Sequence, residues 1–126
     1  MGKIDIKPTR RTPEVTLNET TNTLVFKGRS LPENTKQFYQ PVKANLNTYK
    51  PEKGATVTID IAFTYVSSSS LISLLSIFKQ MKLTCDRGCT LKINWFYEQY
   101  DDDLLSIGHD MEQLSGVEFK YIEVTV

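Results

Sequence analysis

"ATVTIDIAFTYVSSSSLISLLSIF", residues 55–78, contains a change of period. Its first half alternates: Val57, Ile59, Ile61, Phe63 and Tyr65 point one way, and Thr56, Thr58, Asp60, Ala62 and Thr64 the other. That is the two-residue repeat of a strand, and β-branched residues fill it. Beyond Ser70 the spacing becomes helical, with Leu71, Leu74, Leu75, Phe78 and Met81 on one face. Strand followed directly by helix is the unit of an α/β fold. Four serines, Ser67 to Ser70, stand at the junction. The first N–H groups of a helix lack an intrahelical acceptor, so one of Ser67, Ser68 or Ser69 is expected to be the N-cap. A cap accounts for one serine and leaves three.

Working outward, the same two periods assign the rest of the chain. Residues 1–13 are polar, carry Pro8 and Pro13, and are expected to lie over the surface. "EVTLNETTNTLVFKG" reads as a hairpin about the turn Glu19–Asn22, ended by Gly28. In residues 29–50, Phe38, Val42, Leu46 and Tyr49 mark a helical face. Two starts fit: Ser30 with Glu33 as a capping box, or Asn34 as the cap. Pro41 predicts a kink or a break. "TLKINWFY" alternates as a strand. "YDDDLLSIGHDMEQLSG" reads as a helix with Asp101 to Asp103 at its positive end, an inner face of Leu104, Ile107, Met111 and Leu114, and Gly116 as its stop. In "VEFKYIEVTV" the apolar phase slips between Tyr121 and Ile122, which predicts a bulge. The expected fold is therefore one small α/β domain over residues 1–126, in the order β-β-α-β-α-β-α-β. It has one mixed sheet, parallel at its centre, with helices packed on it.

Composition narrows the function classes. The 126 residues carry 15 basic and 15 acidic side chains, so no net basic charge points to nucleic acid. No run approaches 18 apolar residues, so no spanning helix is expected and no membrane partner. "MGKIDIKPTRR" has no apolar core of a secretion signal, and a cytoplasmic protein is expected. Cys85, Cys89 and the single His109 are too few for a four-ligand zinc site. The cysteines are expected to be free thiols in and after a helix end, and no cofactor or metal is expected.

The serine junction then admits three readings. It lies at the carboxyl end of a central strand, where open α/β sheets face their ligands, and at a helix start that accommodates a phosphate. A reversibly phosphorylated signalling switch fits both facts. A small serine-dependent hydrolase is the rival, but "YVSSSSL" lacks the glycines of a nucleophile elbow and His109 is far along the chain. An unmodified scaffold whose serines only cap a helix is the third.

Four segments resemble one family. They are "TPEV" (12–15), "GRSLPENTKQFYQPV" (28–42), "YVSSSS" (65–70) and "WFYEQYDDDLLSIGHDMEQL" (95–114). In that order they are similar to the SiaC family of bacterial regulatory phosphoproteins, formerly a domain of unknown function, whose members look like STAS-type partner-switching proteins. The resemblance implies a non-enzymatic role in signal transduction. A kinase of the histidine-kinase-like ATPase type phosphorylates the family's Thr in Asn-Thr-Ser-Ser, and a PP2C-type phosphatase reverses it. The unphosphorylated form binds and activates an output protein, a diguanylate cyclase, and so acts on cyclic di-GMP and biofilm regulation. Position by position, the acceptor falls on Ser68, with Ser69 and Ser67 as alternatives. Ser67 stands for the family's Asn, Ser68 for its Thr, and Ile72 where a basic residue is frequent. The resemblance and the loop's position make Ser67, Ser69, Ser70, Pro32, Glu33 and Asn34 candidate partner-binding residues, with a helix cap as the simpler role for the Pro-Glu-Asn segment.

Overall fold

The computed structural model describes residues 4–125. The elements are β1 (Asp5–Ile6), β2 (Glu14–Asn18), β3 (Thr23–Ser30), α1 (Thr35–Thr48), β4 (Thr56–Val66), α2 (Ser68–Cys85), β5 (Thr90–Glu98), α3 (Asp102–Ser115) and β6 (Phe119–Val124). They form one six-stranded mixed sheet in the order β1-β2-β3-β4-β5-β6. β1 to β3 are antiparallel neighbours; β3 to β6 are all parallel. This is the expected mixed sheet with three helices, extended by β1. That short strand corrects the expected surface course of the first residues. Ile4 is buried there, and the Leu17 N–H donates to its carbonyl at 3.0 Å.

Sequential parallel strands joined by right-handed crossovers place every helix on the same face. α1 packs on α2, and α2 on α3. The core lies between them and the inward residues Leu24, Phe26, Val57, Ile59, Ile61, Ile93 and Trp95. Asn34 is the N-cap of α1, and its side chain accepts from the Gln37 N–H at 3.0 Å. Ser30 is therefore not a cap; it is the last residue of β3. α1 runs unbroken through Pro41. Tyr39 is buried on it with Val42 and Leu46, and the expected Phe38 is half-buried, edge-on to Tyr39 with ring centroids 4.9 Å apart.

Three further differences have physical causes. β3 does not end at Gly28: it continues to Ser30 through a register shift, with Gly28 opposite Phe63 but Arg29 opposite Tyr65. Thr64 is thus the extra residue of a bulge, and the side-chain phase inverts beyond it. Tyr65 turns outward, 48% exposed, while Val66 turns into the core beside Ser30. In α3 the buried positions are Leu104, Gly108, Met111 and Ser115, so Leu114 is 60% exposed instead of inward. That stripe follows spacings of four, three and four, and it needs Gly108: a Cβ there would meet Trp95 Nε1 at 2.7 Å. Finally, β6 pairs with β5 in unbroken register from Phe119 to Val124, so there is no bulge at Tyr121.

Candidate functional site at the serine junction

The four serines divide into four environments. Ser67 is the N-cap of α2, extended at φ −78° and ψ 159°, and its Oγ accepts from the Ser70 N–H at 3.2 Å. Ser70 is fully buried. Its Oγ accepts from the hydroxyls of Ser67 and Ser30, each at 2.8 Å, and it donates to the Ser30 carbonyl at 3.1 Å. Its hydrogen-bonding capacity is then used up. Ser30, its own hydrogen spent on Ser70, accepts from the Tyr39 hydroxyl at 2.5 Å. Burial pushes the Tyr39 phenol up to about 12, against the pull of the Ser30 and Ser70 hydroxyls, so it stays a neutral donor. This interior network joins the end of β3, the first helix and the start of α2.

The outer pair differs. Ser69 is exposed and shares a hydrogen bond of 2.8 Å with Thr35, in the first turn of α1. Ser68 is exposed, is the first residue of α2, and its hydroxyl has no partner among the described residues. The N–H groups of Ser68 and Ser69 also lack acceptors there, because the cap serves Ser70. The first turn of α2 holds no acidic residue. A free hydroxyl beside two open N–H groups, at the positive end of an 18-residue helix, is a place where added negative charge is stabilised.

The other sequence candidates are placed as follows. Pro32 is half-buried, Glu33 exposed, and Asn34 caps α1. The Thr35–Ser69 and Ser30–Ser70 bonds hold this segment against the serine loop, so both sit at the carboxyl edge of the sheet. His109 is exposed on α3 and its ring lies against Tyr121, 4.4 Å between centroids. No serine hydroxyl of the junction bonds to it, and none of the four serines has the positive φ of a strained nucleophile turn. Asp101 is the N-cap of α3, accepting from the Leu104 N–H at 2.9 Å, and Asp102 and Asp103 are exposed in its first turn. Cys85 and Cys89 are free thiols, in and after the end of α2, and burial pushes the Cys85 thiol up to about 12. Ser30, Tyr39 and Thr35 join the site only through the fold. Ser30 and Tyr39 do lie in the Gly-x-Ser…Phe-Tyr segment, which was the available signal.

No curated protein sequence matches the chain. Solved structures do. A chain in the crystal structure of the diguanylate cyclase SiaD in complex with its activator SiaC from Pseudomonas aeruginosa superposes with a TM-score of 0.86 at 16% identity, covering 96% of this chain and 99% of that one. Apo-SiaC from the same organism gives 0.81 at 17% identity, covering 98% of each chain. At such identities the likeness is one of fold. The model of the SiaC family of regulatory phosphoproteins matches residues 6–124. With the family model spanning nearly the whole chain, and the fold and the strand-to-helix serine junction in place, the protein belongs to the SiaC family of regulatory phosphoproteins.

Proposed function

We propose that this protein is a non-enzymatic partner switch, phosphorylated on Ser68. The kinase is of the histidine-kinase-like ATPase type, and a PP2C-type phosphatase removes the phosphate. The unphosphorylated form binds and activates an output protein of the diguanylate cyclase class. The observation that carries this reading is the state of Ser68: of the four serines it alone combines exposure with an uncommitted hydroxyl. Ser68 Oγ attacks the γ-phosphorus of ATP, ADP leaves, and the hydroxyl proton passes to a base of the kinase. The product carries about −1.5 to −2 charges at a helix start that tolerates them, so the fold persists. A partner that covers the loop must then desolvate or face that charge, and its binding weakens. A cytoplasmic site fits the ATP requirement.

The test is phosphotransfer followed by capture. With its kinase and ATP the protein gains one phosphate, mapped to Ser68, and Ser68→Ala gains none there. The unmodified and Ser68→Ala forms capture the output protein; the phosphorylated form captures less, and Ser68→Asp falls between, having fewer charges and acceptor oxygens. Equal capture by all four forms overturns the switch. Transfer to Ser69 in the native protein moves the acceptor by one residue, and hydrolytic activity lost with Ser68→Ala would favour the enzyme reading.

A further inference from the structure

Three of the four arginines in the sequence, Arg10, Arg11 and Arg29, line one surface pocket with Leu31. The sequence also has eleven lysines, and the chain as a whole is neutral. All three arginines are exposed, and none has a carboxylate within ion-pair distance among the described residues, where the one ion pair is Lys7–Asp5. Arginine differs from lysine in presenting a planar fork that pairs with carboxylates through two bonds.

The cluster is held in place by the fold. Thr9 Oγ1 accepts from the N–H groups of Arg11 and Thr12 at 3.2 and 3.0 Å, closing a tight turn. The Leu31 N–H donates to the Arg11 carbonyl at 2.8 Å, and Arg11 Nε donates to the Leu31 carbonyl at 3.4 Å. The bulge at Thr64 places Arg29 opposite the outward Tyr65, with its guanidinium carbon 5.6 Å from the ring centroid. The same bulge sets the approach to the serine loop. On the far side of β3 the Ser67 N–H donates to the Ser30 carbonyl at 2.9 Å. Arg11, residues 30–31 and Ser67 are therefore neighbours across the carboxyl edge of the sheet. Two strand spacings put the backbones of Arg11 and Ser67 about 10 Å apart, close to one Debye length at 0.1 M salt.

We propose that Arg10, Arg11 and Arg29 form a docking site for an acidic segment of the output protein, one rich in Glu or Asp. The proposal rests on the switch reading in one respect, that the protein supplying the segment also covers Ser68. Charge complementarity carries it: three exposed guanidinium groups, none with a carboxylate partner among the described residues, line one pocket near the carboxyl edge of the sheet. It also gives phosphorylation a direct target. A phosphate on the serine loop carries the same sign as the acidic segment, so it weakens the field that draws the segment in.

The test uses the purified, unphosphorylated chain. The probe is a fluorescein-labelled octapeptide of alternating Glu and Ser, with a Gln–Ser octapeptide as control, followed by anisotropy. The Glu peptide binds, and binds more weakly as salt rises from about 50 to 200 mM. The variant R10Q/R11Q/R29Q loses about tenfold or more in affinity at an unchanged thermal midpoint, and the triple lysine variant recovers only part of it. Equal binding of the Glu and Gln peptides, or of the native and triple-Gln proteins, overturns the proposal. So does an arginine-dependent attachment to phosphatidylserine vesicles without arginine-dependent peptide binding, which would assign the pocket to a lipid surface. No kinase is present, so failure here leaves Ser68 phosphotransfer standing, and failure of phosphotransfer leaves the arginine site standing.

Discussion

The first turns of α2 and α3 meet the same requirement with different chemistry. Both follow a parallel strand, and both begin at a side-chain oxygen that accepts from an N–H three residues on, Ser67 from Ser70 and Asp101 from Leu104. After the cap they diverge. α3 places the acidic Asp102 and Asp103 in its first turn, against the positive end of the dipole. α2 places Ser68 and Ser69 there, neutral and exposed. The start of α3 is electrostatically complete. The start of α2 accepts charge that has to be added, and the proposed phosphorylation adds it. Within α2 itself the buried Ser70 ties the loop to β3, while Ser68 stays exposed with its hydroxyl uncommitted among the described residues.

That contrast can be broken at several points. The largest effect is expected inside the network. Ser70→Ala strips the half-buried Ser67 and the buried Ser30 hydroxyls of their shared acceptor and leaves the buried Ser30 carbonyl short of a donor. Urea unfolding should register a loss of about 1–3 kcal/mol. A loss below about 0.5 kcal/mol would mean the interior bonds are dispensable. Ser67→Ala removes the cap and should cost about 1 kcal/mol by the same measurement, while Ser67→Asp, another good cap, should restore most of it.

The dipole difference predicts opposite signs at the two helices. Ser68→Asp should raise stability by about 0.3–1 kcal/mol, and Asp102→Ser or Asp103→Ser should lower it by a similar amount. Ser68→Ala should stay within about 0.5 kcal/mol of the native protein. A fall in Tm for Ser68→Asp would place that side chain among apolar groups and defeat the exposed-acceptor geometry.

The smallest effect is in acid and belongs to the far end of α3. Hydrogen bonds from Tyr121 and, secondly, from the Phe119 N–H at 2.9 Å hold the Glu112 carboxyl below its ordinary 4.5. A depressed carboxylate contributes stability above its unfolded value and loses it as pH falls through the folded one. The native protein should therefore lose Tm more steeply below about pH 4.5 than Glu112→Gln does. Parallel curves for the two proteins would show that Glu112 adds nothing to the β6 anchor.

Much of this architecture is legible in local pattern. Residues 57–63 alternate and are buried in alternation; Asn34, Ser67, Asp101 and Gly116 each mark a helix end from a short stretch of chain. These are properties of a few consecutive residues, because strands repeat in two, helices in 3.6, and a cap bonds three positions ahead. Reading fails where one residue shifts the phase. The extra Thr64 sends Tyr65 outward, although in isolation it continues the alternation. Leu114 fits an inner stripe by hydropathy, yet Gly108 against Trp95 fixes the face of α3 and puts Ser115 inside instead.

From its own order of residues the protein determined that a strand passes into a helix through four serines, that one of them caps, and that the family resemblance points to Ser68. Only the tertiary structure decided which hydroxyl is left free. That outcome depends on partners distant in sequence: Ser30 reaches Ser70 across 40 positions, and Thr35 reaches Ser69 across 34. The arginine cluster is likewise assembled from a loop and a strand end that meet through the pairing of β2 with β3. Local periodicity encodes which way a side chain points. It carries no record of which distant side chain will be there to meet it, and at this junction that meeting distinguishes a structural serine from an available one.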